Sequence, residues 1–155
     1  MSAAQSHREI ERKFLVRQLP EGLSKFPHAE IDQGYLALAP DGVQVRLRRA
    51  GSKLLLTFKR NQGAVREERE IELSPDQFDS LWPATANKRL TKTRYDVPYG
   101  SFKLEVDVYS GRHKGLIVAE VEFESESAAR AFQPPGWLGE DVSGDPRYSN
   151  QLLAG

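Results

Sequence analysis

Apolar and charged residues alternate at a spacing of two along most of this chain. In HREIERKFLV, residues 7 to 16, Glu9, Glu11 and Lys13 share one face of a predicted strand, and Ile10, Phe14 and Val16 share the other. The same alternation marks eight segments, roughly 7–16, 29–38, 43–49, 53–60, 64–73, 89–96, 101–109 and 115–124. The links APDG (39–42), AGS (50–52), NQG (61–63) and PYGS (98–101) carry turn residues suited to hairpins. Links this short favour antiparallel neighbours, because a parallel crossover needs about a dozen residues or more. The expected fold is mostly β, with eight antiparallel strands in a barrel or a sandwich.

Three short helices interrupt the strands. Ser74-Pro75-Asp76-Gln77 reads as a capping box with proline at the first helical position, and Phe78, Leu81 and Trp82 follow on one face. Ser125 caps a second predicted helix, whose stripe of Ala128, Ala131 and Phe132 ends before Pro134-Pro135. A last short helix is expected from Asp145-Pro146, carrying Tyr148 and Leu152.

The charged faces recur from strand to strand. Arg46 and Arg48 oppose Val45 and Leu47; Thr57 and Lys59 oppose Leu54, Leu56 and Phe58; Arg66, Glu68, Glu70 and Glu72 oppose Ile71 and Leu73. Lys92 and Arg94 follow, then Lys103, Glu105 and Asp107 against Leu104, Val106 and Val108, then Glu120, Glu122 and Glu124 against Val121 and Phe123. A single such strand is a solvated face with weak cross-strand ion pairs. The set reads differently, because the helices need an apolar surface to cover. With the apolar faces outward, the helices are satisfied and the charges line the interior of an eight-stranded barrel, which has room for one small ligand. The pattern favours this inverted barrel over the ordinary one.

Composition narrows what could sit there. At 155 residues the chain is one domain's worth, read as a single domain over 1–155. Lys plus Arg and Asp plus Glu each number 22, so no net field announces nucleic acid or an anionic membrane. There is no cysteine, and His7, His28 and His113 fall in no metal-ligand spacing, so thiolate chemistry and a zinc site are not expected. The first residues lack the apolar core of a signal peptide and no run approaches a membrane span; a cytoplasmic protein is the expectation. Carboxylates at i and i+2 lie roughly 6–7 Å apart along a strand and can converge on one hard cation such as Mg²⁺ or Mn²⁺. Arg and Lys in the same spacing suit phosphate oxygens. A ligand that needs both is a metal-chelated polyphosphate, here cradled by side chains in the absence of a glycine-rich phosphate loop.

At this point a series of motifs becomes informative. Glu9-Ile10-Glu11-Arg12-Lys13 is followed by Gln33-Gly34-Tyr35-Leu36, Arg46-Leu47-Arg48, Thr57-Phe58-Lys59 and the pair Glu68/Glu70. Lys92-Thr93-Arg94-Tyr95, Glu120-Val121-Glu122-Phe123 and Asp145 with Arg147-Tyr148 complete it. In this order, over essentially the whole chain, the set resembles the triphosphate tunnel metalloenzymes, or CYTH superfamily. The resemblance implies an eight-stranded antiparallel barrel whose charged interior binds triphosphate and a divalent metal, Mg²⁺ or Mn²⁺. It implies Lys13, Arg46, Arg48, Lys59, Lys92 and Arg94 as the phosphate-binding set, and Glu9, Glu11, Glu120 and Glu122 as metal ligands. Glu68 and Glu70, with Lys92, become the expected catalytic side chains; Glu68 and Glu70, with Glu105 or Asp107, serve a second metal or the attacking water. Arg66, Glu72, Lys103 and Glu124 read as solvated strand-end charges. Tyr35 and Tyr148 either touch substrate or pack at a tunnel mouth, and Asp145 is a mouth residue or an N-cap.

The family includes inorganic, thiamine and nucleoside triphosphatases and adenylyl cyclases. This compact chain most resembles the bacterial members that hydrolyse inorganic tripolyphosphate, which is the leading expectation. An adenylyl cyclase or an organic triphosphatase on the same site is the alternative, and a non-catalytic polyphosphate binder a third. The partner expected is the small-molecule triphosphate alone, with no nucleic acid or membrane, in a monomer or homodimer.

Overall fold

In a computed structural model of the protein, residues 5–7, 10–62 and 65–155 are described. The strands are β1 (Gln5–His7), β2 (Glu11–Val16), β3 (His28–Leu38), β4 (Gln44–Ala50), β5 (Lys53–Gln62), β6 (Val65–Glu72), β7 (Arg89–Tyr99), β8 (Phe102–Tyr109), β9 (Ile117–Glu122) and β10 (Leu138–Asp141). The helices are α1 (Pro75–Leu81), α2 (Glu126–Ala131) and α3 (Asn150–Ala154). The fold is mostly β and its pairings are antiparallel. The strand expected over 7–16 is two strands, β1 and β2, on either side of residues 8 and 9, which are not among those described. β10 is an addition to the expected eight. Its sequence, Leu-Gly-Glu-Asp, is too short and too poor in β-formers to register as alternation. Among the described residues no helix is long and apolar enough to cross a membrane.

One compact unit holds β1, β3 to β6, α1 and α3. Its strands run in the order β1-β6-β5-β4-β3. β5 and β6 pair down to Gln62 opposite Val65, so the expected NQG turn falls partly on residues outside those described. The register puts Gln33, Tyr35, Arg46, Arg48, Thr57, Lys59, Glu68 and Glu70 on one face. Between Tyr35 and Ala37 the pairing with β4 shifts by one, a bulge of the kind that re-aims a strand. The opposite face is capped by α1 and the turn after it. Ser74 closes the predicted capping box with Gln77, and buried Phe78 stacks on Trp82 at 5.2 Å and lies under the Arg49 guanidinium at 5.0 Å. Gly34 is required there for space: a Cβ would meet the Thr85 side chain at 2.6 Å.

The second unit holds β2, β7 to β10 and α2. Its strand order is β7-β8-β9-β2-β10. Phe14, Val97, Leu104, Val106, Ala119 and Val121 form the apolar face, and Phe123, Ala129, Phe132 and Leu138 cover it. Ser125 caps α2 as expected, its hydroxyl accepting from the Ala128 amide. Arg12 also lies on this covered face, because it alternates with Glu11 and Lys13. Its guanidinium donates to Asp141 through Nε and Nη2 at 3.1 and 2.9 Å, and through Nη1 to the Ala129 carbonyl at 2.9 Å. It also lies 5.0 Å from the Phe14 ring centre. In each unit one helix, α1 or α2, covers the apolar face and leaves the charged face on the other side. The last predicted helix starts later than expected: residues Pro146–Tyr148 make one 3₁₀ turn, and α3 begins at a Ser149 cap.

Candidate active site

On the charged face of the first unit, Arg46 is only 7% exposed, and its Nε is buried with no hydrogen-bond partner among the described residues. Such orphaned donors are rare inside proteins and mark a place where a partner belongs. Its Nη2 donates to the Thr57 hydroxyl at 3.4 Å, and that hydroxyl donates onward to Glu70 Oε2 at 2.8 Å. Lys59 stands directly opposite Glu68 on the neighbouring strand. Arg48 is held by Gln33, whose Oε1 accepts from Nε at 3.1 Å and Nη2 at 2.8 Å. Gln33 Nε2 in turn donates to the Tyr35 hydroxyl at 3.1 Å. Burial pushes the Tyr35 phenol above its ordinary pKa, against the opposing pull of Arg46 and Arg48. Tyr35 is buried in this face beside Arg46.

On the charged face of the second unit the cations and carboxylates are interlocked. Lys92 Nζ donates to Asp107 Oδ2 at 2.8 Å, and both side chains are 0% exposed. Arg94 grips the same carboxylate bidentately, Nε to Oδ1 at 2.7 Å and Nη2 to Oδ2 at 2.8 Å. Desolvation opposes the charge of Asp107, but the field of Lys92 and the Arg94 bonds outweigh it and hold the carboxyl well below the usual range. Arg94 also reaches Glu105 at 3.3 Å and Glu120 at 3.9 Å. Desolvation likewise opposes its charge, and the Asp107 bonds overcome it, raising the Arg94 pKa. Lys13 Nζ lies 3.4 Å from Glu120 and donates to the Tyr148 carbonyl at 3.0 Å, which ties the 145–148 segment to β2. Asp145 accepts from the amide and guanidinium of Arg147, capping its own turn.

Glu11 and Glu122 are cross-strand partners, and both are exposed. Glu9 lies outside the described residues. Among the described residues no three His, Cys, Asp or Glu side chains cluster closely enough to hold a metal ion. The donors of this face are all carboxylate oxygens, a chemistry that fits a hard divalent cation. Of the expected residues, the first unit brings Tyr35, Arg46, Arg48, Lys59, Glu68 and Glu70 onto one face, and the second does so for Glu11, Lys13, Lys92, Arg94, Glu105, Asp107, Glu120 and Glu122. The sequence puts Thr57 on this face beside Lys59, and Gln33 in the motif with Tyr35, but assigns a role to neither. Each is uncharged and buried at 0% exposure, and only its position two residues from Tyr35 or Lys59 pointed to this face.

Residues 7–141 match the family model for the CYTH domain. The chain is 45% identical over 148 residues to a curated inorganic triphosphatase of Nitrosomonas europaea, covering 94% of this chain and 96% of that protein. It is 34% identical over 153 residues to one of Acetivibrio thermocellus, covering 94% and 92%. Among solved structures, the crystal structure of an inorganic triphosphatase superposes with a TM-score of 0.75 at 44% identity, covering 94% of this chain and 93% of that one.

Proposed function

The chain belongs to the CYTH domain family of metal-dependent triphosphate tunnel enzymes, and from that premise we propose that it hydrolyses inorganic tripolyphosphate to pyrophosphate and phosphate. The observation that carries this reading is the buried Arg46 with its unpartnered Nε, set on one face with Arg48 and Lys59. Phosphate oxygens can accept directly from the Arg46 Nε and add charge-assisted hydrogen bonds that a neutral ligand would make more weakly.

In this reading Arg46, Arg48 and Lys59, with Lys13, Lys92 and Arg94, bind the phosphate chain and stabilise charge as the bridging oxygen leaves. Glu11, Glu120 and Glu122, together with Glu9, would hold the divalent ion, for which Mg²⁺ or Mn²⁺ is the natural choice for carboxylate donors. When bound, that ion supplies positive charge that neutralises phosphate oxygens. Glu70, oriented by the Thr57 hydroxyl, and Glu68, opposite Lys59, are the carboxylates proposed to align the attacking water and accept its proton. Asp145 and Tyr148 are kept beside Lys13, which donates to the Tyr148 carbonyl.

The test is phosphate release from tripolyphosphate, ATP and thiamine triphosphate side by side in Mg²⁺ or Mn²⁺, with cyclic AMP assayed in the ATP reaction. Strong preference for tripolyphosphate is expected. Preferential turnover of an organic triphosphate, or cyclic AMP as product, would refute it.

A further inference from the structure

We propose that Gln33 is a positioning residue that presets both Arg48 and the Tyr35 hydroxyl for the substrate; the proposal rests on the tripolyphosphate reading for its kinetic consequence only. The orientation of the amide follows from chemistry. A guanidinium can only donate, so the Gln33 atom facing Arg48 Nε and Nη2 must be the carbonyl oxygen. That leaves the NH₂ group facing Tyr35 at 3.1 Å. The phenol oxygen therefore accepts from Gln33, and its own hydrogen must point elsewhere.

The placement of Gln33 is equally determined. It is 0% exposed, and a buried amide is costly unless both halves are paired, as they are here. Gln33 and Tyr35 flank Gly34, whose backbone lies against Thr85 on the opposite face, closer than any side chain would permit. The β3 bulge follows immediately after Tyr35. The local backbone thus has little freedom to shift either side chain. One neutral amide fixes one long cation and the direction of one hydroxyl, without adding a negative charge that would repel phosphate. A flexible arginine loses rotamer freedom when it docks on a ligand, and here that ordering accompanies folding instead of binding.

The experiment is a double-mutant cycle of Gln33→Leu and Arg48→Ala, read as KM and kcat for tripolyphosphate. It is paired with an absorbance titration of the Tyr35 phenol, isolated by subtraction of Tyr35→Phe. Gln33→Leu fills a similar volume and makes neither hydrogen bond. It is expected to raise KM about tenfold with kcat within about threefold. In the Arg48→Ala background the same change should alter KM by less than about twofold. Loss of the Gln33 donor should also move the Tyr35 midpoint upward. Effects that multiply in the cycle, or an unmoved Tyr35 midpoint, overturn the proposal. If Gln33→Leu does not fold, Gln33→Glu keeps an acceptor for Arg48 and, ionised, cannot donate to Tyr35. It must therefore raise the midpoint or the proposal falls. Absence of tripolyphosphate turnover in the wild-type protein would sink the substrate reading, while the phenol titration alone would still decide the role of Gln33.

Discussion

Replacing Asp107 by Asn keeps its shape and removes its charge. In the native protein this carboxylate receives Lys92 Nζ at 2.8 Å and the Arg94 fork at 2.7 and 2.8 Å, with no exposure at Asp107 or Lys92. The variant leaves the buried Lys92 and the half-buried Arg94 facing an amide whose NH₂ group cannot accept from them. Breaking one side of a buried ion pair costs about 3–5 kcal/mol, against about 0–1 kcal/mol at a surface pair. For a chain of this length that corresponds to a melting temperature lower by roughly 6–20 °C. Urea denaturation read by tryptophan fluorescence, with thermal melts, measures it. The acid limb is a second readout. Because folding depresses the Asp107 pKa below its unfolded value of about 3.9, its contribution is complete above that pH and is lost as pH falls through the folded value. Wild-type stability should decline in that acid range more steeply than that of Asp107→Asn. A loss under about 1 kcal/mol at neutral pH, or parallel acid limbs, would refute the account of Asp107 as a buried counter-ion. The same geometry bears on metal binding: all three donors come from protein cations, so Asp107→Asn should leave Mn²⁺ affinity nearly unchanged.

Arg46→Met should raise KM for tripolyphosphate about tenfold or more while leaving the melting temperature equal or higher, because the buried unpartnered Nε is removed; kinetics and differential scanning calorimetry check both halves. Glu120→Gln is expected to lower turnover and Mn²⁺ affinity by about a hundredfold or more, since even outer-shell partners of a metal carry about 10–100-fold; unchanged turnover would remove Glu120 from the site. Ser74→Ala breaks the capping box of α1 and should cost about 1 kcal/mol by urea denaturation without altering KM.

Much of this architecture was legible because alternation at two is unambiguous when one face is charged. Glu11, Lys13, Arg46, Arg48, Lys59, Lys92, Arg94 and Glu120 all stand on the face that parity assigned them. The capping box of α1, the serine cap of α2 and the stop before Pro134-Pro135 were equally local, and α1 and α2 begin where their serines said. Partnership was less legible. A strand pattern says which side a carboxylate faces and not what meets it there, so Asp107 read as a candidate for metal or water beside Glu105, whereas its oxygens lie on Lys92 and Arg94. Gln33 and Thr57 stood in the motif series without a role, because neither carries charge and what each does depends on burial and register. β10 escaped because four residues cannot establish a period.

Arg12 sits between the signature residues Glu11 and Lys13 yet serves the other side of the sheet, where it ties β2 to Asp141 and to the Ala129 carbonyl of α2. The five-residue signature therefore encodes two separable properties, interleaved one residue at a time. A screen scoring activity in lysate would place Arg12 with its neighbours, because every position in the motif would lower the signal. Normalised to folded protein, the group is expected to divide by parity: under the proposed function Glu11 and Lys13 set what each molecule does, and Arg12 sets how many molecules there are to do it.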